Sequence, residues 1–165
     1  MGDIKHYRDF GLGCSHVLAG EVIIDHNFYD AAGNQEMREI TDNECLPFVQ
    51  ITSFQPEKVM PAQNLTKDNL YDYLIQYIAL KNIFLAVKIC RWFEKLIIRR
   101  PFAQTKPYPS VVQVFEQQIV ETITNIKSSL IGFWTPQSSR ELSVAGCHLH
   151  FIDFTHKTSV YFIVI

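Results

Sequence analysis

The alternation of apolar and polar positions sorts the chain into strands, one amphipathic helix and the loops between them. Within residues 20–40, Val22–Ile24 and Phe28–Tyr29 are β-type runs and Ala32-Gly33-Asn34 is a turn signal, so the segment reads as a hairpin. Residues 45–54, CLPFVQITSF, predict a further strand of β-branched and aromatic residues, with Pro47 near its start, where a strand tolerates proline. Residues 55–67 contain Pro56 and Pro61 and few large apolar side chains, and they read as a connection. Leu70, Leu74, Ile75 and Ile78 recur at helical spacing with Asp68 near the start, which predicts an amphipathic helix over 68–80. NIFLAVKI and FEKLIIRR predict two strands joined near Cys90-Arg91. KPYPSVVQVFEQQ predicts a short helix opened by Pro109 or Ser110. SSLIGFWT and GCHLHFIDF predict the last two strands.

The order is strands, helix, strands, short helix, strands, and it lacks a regular βαβ alternation. It predicts an α+β fold: two β-rich lobes of mixed or antiparallel sheet with one main amphipathic helix. One domain over 1–165 is expected, with lobes at about 1–54 and 68–165 joined by 55–67.

Composition narrows the functional classes. With 47% hydrophobic and 19% charged residues, the chain is a folding sequence and not a disordered one. A net charge of −2 over 165 residues and a pI near 6.3 give no basic footprint, so neither nucleic acid nor a membrane is an expected partner. No stretch reaches the roughly 18 to 20 apolar residues of a membrane helix. The opening MGDIKHYRDFG has no apolar leader, so a cytoplasmic location is expected. Cys14, Cys45, Cys90 and Cys147 form no Cys-x-x-Cys pair and predict free, buried thiols.

Candidate chemistry begins at His148 and His150. On a strand, positions i and i+2 share a face, so both rings can converge on one ion with Zn–N distances of about 2.0 to 2.1 Å. A pair of buried or surface histidines without metal is the competing reading. Glu21 leads into an apolar strand and is either solvated at the strand's start or buried for proton chemistry. Arg99 and Arg100 end an apolar strand before Pro101, as a solvated strand end or as an anion clamp.

Taken together and in order, several motifs resemble the acetolactate decarboxylase family. RDFGLG followed by LAGEVIIDHNFYDAAGNQEMREI resembles that family's Asp-Phe-Gly-x-Gly and Asp-Gly-Glu region. KNIFLAVKI, QTKPYPSVVQV and LIGFWTP resemble its later segments, and VAGCHLHFI resembles its zinc-binding Gly-x-His-Leu-His-Phe. The resemblance runs from about Asp9 to Ile152. It implies a two-lobed fold, zinc as cofactor, 2-acetolactate as substrate, acetoin as product and a homodimer. Residue by residue, it implies that His148 and His150 are two of three zinc histidines, that Glu21 is a catalytic glutamate and that Arg99 is the active-site arginine. Tyr161 stands at the position of the third histidine, with His156 nearby, so further donors are expected from water, His156 or His16. Cys14 replaces a threonine and Ala19 replaces the aspartate of Asp-Gly-Glu. The family's opening strand and its closing segment, with a further glutamate, have no counterpart here. A catalytically inactive, truncated homologue that serves as a binding or assembly protein is the alternative, and a small cupin-like metal enzyme is a third reading.

Overall fold

The computed structural model describes residues 4, 6, 8–32, 36–61, 63–77, 82–153 and 159–164. The turn signal at Gly33-Asn34, Ile78 of the helical pattern and His156 lie outside the described residues.

The first half builds one sheet. Strands β1 (Phe10–Cys14), β2 (Glu21–Asp25), β3 (Asn27–Ala31), β4 (Arg38–Glu39) and β5 (Phe48–Thr52) lie in the order β4-β3-β2-β1-β5. The tight turn of the β2–β3 hairpin falls at His26, which adopts a left-handed φ of 64°. The sequence suggested no turn there, because a single residue in left-handed backbone leaves no Gly or Pro cue.

The second half closes a barrel from β6 (Leu85–Arg100), β7 (Ile119–Thr135), β8 (Gly146–Asp153) and β9 (Ser159–Val164), with β9 returning to pair with β6. Every strand pairing among the described residues is antiparallel, which settles the choice between mixed and antiparallel sheets. The predicted pair of strands meeting at Cys90-Arg91 is instead one strand, β6, hydrogen-bonded to β7 from Leu85↔Trp134 to Arg100↔Ile119. The periodicity misled because the inward-facing set slips by one residue midway. Ile89 and Phe93 face the same core as Leu96 and Ile98, and across the ladder Ile126 and Leu130 face it with Ile123. The slip lies between Phe93↔Ile126 and Lys95↔Thr124, where Asn125 takes a left-handed φ of 53°. The pairing register is the same on both sides of this point, so no residue is inserted and the two strands change phase together.

Helix α1 (Lys67–Tyr77) buries Leu70 and Leu74 against the barrel residues Leu96, Ile98, Leu149 and Phe151. Ile75, counted in the predicted apolar stripe, is exposed instead. The helix is capped by Thr66, whose hydroxyl accepts from Asn69 N at 3.3 Å while the Asn69 side-chain oxygen accepts from Thr66 N at 2.7 Å. Ser110, one of the two predicted openers, caps the short helix α2 (Val111–Glu116) with a full capping box.

Sheet and barrel pack face to face through Phe10, Leu12 and Ile23 on one side and Ile131, Phe133 and Ile152 on the other. At the rim of this contact the Lys88 ammonium donates to both oxygens of Asp25, at 2.7 and 2.8 Å. All four cysteines are free, as expected, but none is buried: Cys45 and Cys90 are exposed, and Cys14 and Cys147 are half-buried.

Candidate active site

The barrel–sheet contact carries the histidine pair. His148 and His150 lie on β8 at i and i+2 and face β2, on the same side as Ile152. Gly132 of β7 makes this possible. A Cβ there would sit 2.0 Å from the His148 carbonyl oxygen and 3.0 Å from Leu12, so only glycine lets β8 and β1 approach so closely.

His150 is fully buried and its Nδ1–H donates to the Val22 carbonyl at 3.1 Å. That bond fixes the tautomer and leaves Nε2 with its lone pair outward, the form a metal ligand requires. His150 Nε2 faces His148 Nε2 at 3.2 Å. Two imidazole nitrogens on a tetrahedral zinc, each about 2.05 Å from it, stand about 3.4 Å apart, so the pair is already near the spacing of adjacent ligands. Burial pushes His148 down to about 4. His150 is pushed well below the ordinary imidazole range by burial first and then by His148, against the opposing bond to Val22. Both rings are therefore neutral at pH 7, as metal ligation requires.

Glu21 opens β2 directly before Val22, and its carboxylate lies 3.7 Å from His150 Nε2. It is buried, and burial first, then the negative Asp30, raises it to about 8. The contact with His150 is therefore between two neutral groups at neutral pH and is not an ion pair. Gly20 permits this packing, because a Cβ there would lie 2.6 Å from Asp30 Oδ1. Asp30 is itself buried and held by the Ser15 hydroxyl and by Arg38 at 2.6 Å, and Arg38 also clasps Glu44. Sequence reasoning missed Asp30, although an aspartate among the apolar residues of NFYDA was a usable signal.

Barrel closure brings the Arg99 position toward the histidine strand. Arg99 pairs with Tyr161 on β9, while β8 pairs with β9 at Phe151↔Val160, so the register carries Tyr161 next to position 150. Arg99 and His150 thus flank one β9 position, two strand spacings or about 9.5 Å apart. The slip at Asn125 puts Arg99 on the face opposite Leu96 and Ile98, the face of His150. Arg99 Nε and Arg100 Nε are both buried with no hydrogen-bond partner among the described residues, and Arg100 is in addition paired with Glu121 through its terminal nitrogen. A half-buried arginine with an unpartnered Nε suits an anionic ligand.

A cavity of about 150 Å³ opens on this cluster, with Glu21 and His148 at its polar end and Cys14, Leu18, Phe48 and Val144 among its walls. Pro101, two residues beyond Arg99, also lines it. His16 is exposed on the turn before Leu18 and is not a lining residue. Val17 and Leu18 both take left-handed backbone, with φ of 56° and 54°. Such strain costs about 1–3 kcal/mol per residue and tends to occur at functional sites. Among the described residues no cluster of three or more His, Cys, Asp or Glu side chains stands ready for a metal ion, so the pair supplies two donors.

The alpha-acetolactate decarboxylase family model matches residues 1–160. The alpha-acetolactate decarboxylase of Brevibacillus brevis is 35% identical over 161 residues, covering 96% of this chain and 56% of the relative. That of Lactococcus lactis subsp. cremoris is 33% identical over 159 residues, covering 94% of this chain and 67% of the relative. The chain therefore spans between about half and two thirds of the length of these relatives. The crystal structure of alpha-acetolactate decarboxylase from Bacillus subtilis strain 168 has a TM-score of 0.92 at 26% identity, covering 99% of this chain and 72% of that one. A Staphylococcus aureus protein of unknown function, described as similar to alpha-acetolactate decarboxylase, has a TM-score of 0.91 at 28% identity, covering 97% of this chain and 69% of that one. A family match over nearly the whole chain and a shared fold agree: this chain belongs to the alpha-acetolactate decarboxylase family.

Proposed function

We propose that this site decarboxylates 2-acetolactate to acetoin, with zinc held by His148 and His150. The observation that carries the reading is the histidine pair, neutral and fixed in tautomer by Val22, with Nε2 atoms 3.2 Å apart beside a protonated Glu21. Zinc bound there supplies Lewis acidity that lowers the cost of the negative charge left when CO2 departs. Arg99 holds the substrate's anionic oxygen, which is the use its buried Nε suits. Breaking the bond to the carboxylate leaves an electron pair that the neighbouring ketone delocalises, and the reaction then needs one proton returned to carbon. Glu21, raised to about 8, carries that proton at neutral pH and is the donor. The apolar walls of the cavity exclude water that would otherwise compete for the same proton transfer.

Metal analysis and an acetoin assay test the reading. About one zinc per chain, lost in His148→Ala, together with acetoin formation abolished by Glu21→Gln and Arg99→Ala, is the expected outcome. Zinc below about 0.1 per chain, unchanged by His148→Ala, overturns it. One observation favours a second reading: Tyr161 occupies the β9 position beside His150, where a third zinc histidine is expected from the family. Zinc retained without acetoin formation then points to an inactive homologue that binds without turnover. The same family resemblance supports a cytoplasmic homodimer, and no helix among the described residues is long and apolar enough to cross a membrane. Sedimentation equilibrium tests the dimer.

A further inference from the structure

One wall of the cavity is built in a way that decarboxylation alone does not require. Beyond Glu21 and His148, the lining is apolar, and Leu18 is the lining residue on left-handed backbone. Val17 before it is β-branched and left-handed as well, and the turn is closed by Ser15 N donating to Gly20 O at 2.9 Å. Glycine or asparagine closes a turn of this kind with less strain. Leu18 is half-buried and belongs to none of the three apolar cores, so packing does not account for it. What the strained turn achieves is to place a branched side chain in the cavity lining that also contains Phe48.

The space is small. About 150 Å³ is the share of roughly five water molecules in the liquid, well below the 300 Å³ or more of a pocket for a drug-sized ligand. A branched hydroxy-keto acid of five carbons suits a space of this order, and added methylenes must be taken up by the apolar walls, of which Leu18 is the one held by a strained turn. One ill-fitting methylene in an apolar pocket changes discrimination by about 10- to 200-fold.

We propose that Leu18 is the residue that sets substrate size: it limits the alkyl group on the carbon bearing hydroxyl and carboxylate to methyl or ethyl. The inference rests on the reading that this site binds a branched 2-hydroxy-3-keto acid. The Leu18 side chain marks the end of the alkyl channel, and the strained turn keeps it from swinging away when a longer chain enters.

The test uses acids without the ketone, which bind but cannot decarboxylate. Dissociation constants are measured by calorimetry on the zinc-loaded protein for 2-hydroxy-2-methylpropanoate, -butanoate, -pentanoate and -hexanoate. In the unaltered chain, affinity is expected to fall at least tenfold between the butanoate and the hexanoate. Leu18→Ala brings the hexanoate to within about threefold of the butanoate, and Leu18→Met leaves the break in place. If Leu18→Ala fails to fold, Leu18→Phe carries the test by moving the break to the shorter acids. Equal binding of all four acids, no binding of any, or a break that ignores these substitutions overturns the proposal. Acetoin formation is scored separately. Its absence beside a clear break at Leu18 removes the decarboxylase reading and keeps the size limit, and its presence with no effect of Leu18 does the reverse.

Discussion

At the scale of single residues, the site depends on close approaches that few side chains allow. Gly132 is the sharpest case, because the atom a Cβ would meet at 2.0 Å is a backbone carbonyl, which cannot swing away. Gly132→Ala is therefore expected to cost about 3 kcal/mol or more, at the upper end of overpacking costs, and to lower zinc content by displacing His148. Urea denaturation and metal analysis of the variant check both effects, and loss of stability with zinc content intact counts against this role. The histidine pair was legible in the sequence because i and i+2 on a strand must share a face. Glu21 was legible only as an acid beside an apolar run. Its burial comes from the barrel packed over β2, and its raised proton affinity comes next from Asp30. Neither cause is local, so no window of sequence around Glu21 contains them. Leu18 and Phe48 gave no signal at all, since an apolar residue in a cavity wall looks like any other.

At the scale of elements, the long β6–β7 ladder shows how periodicity can be right locally and wrong in sum. Each half of β6 alternates correctly, but the slip opposite Asn125 changes the phase and mimics a break between two strands. The same change of phase puts Arg99 on the face of His150, so an element-level irregularity decides whether the arginine proposed to bind the anion faces the histidines. Asn125→Gly is expected to be nearly neutral, because glycine adopts φ of 53° without strain. Asn125→Val is expected to destabilise the protein by about 1–2 kcal/mol and to weaken substrate binding through Arg99. Thermal melts and KM values for the two variants separate these outcomes; equal behaviour of Gly and Val removes the argument. Ser110 was foreseeable as a cap, whereas Thr66 was not, since Asp68 offered a competing start two residues later.

At the scale of the molecule, the buried groups set a pH profile of stability for chelator-treated protein. His148 is lowered from 6.5 to about 4, and His150 is lowered in the same direction, so the unfolded chain binds more protons below pH 6.5. Stability from these groups is present above pH 6.5 and is lost as the pH falls toward 4. Glu21 runs the other way. It is raised from 4.5 to about 8, so the folded chain holds its proton while the unfolded chain has released it, and stability falls as the pH rises from 4.5 to 8. Between 4.5 and 6.5 the histidines outweigh the glutamate, and above 6.5 the glutamate acts alone. The metal-free protein is expected to be most stable near pH 6.5 and to lose about 2 kcal/mol by pH 8, at about 1.4 kcal/mol per unit. Glu21→Gln removes the alkaline loss, and a melting temperature that keeps rising from pH 6.5 to 8 in the unaltered chain contradicts it. The fold class was legible because strand runs and one helix are local patterns. The closed barrel was not, because it depends on β9 returning to β6. The docking of the barrel on the sheet has a kinetic consequence. The hydrogen bond from His150 to Val22 joins residues 128 positions apart. A contact so remote in sequence is expected to form only as the barrel strands dock on the sheet. If the proposed zinc site is correct, metal uptake during refolding is expected to wait for the docking that brings His150 to Val22.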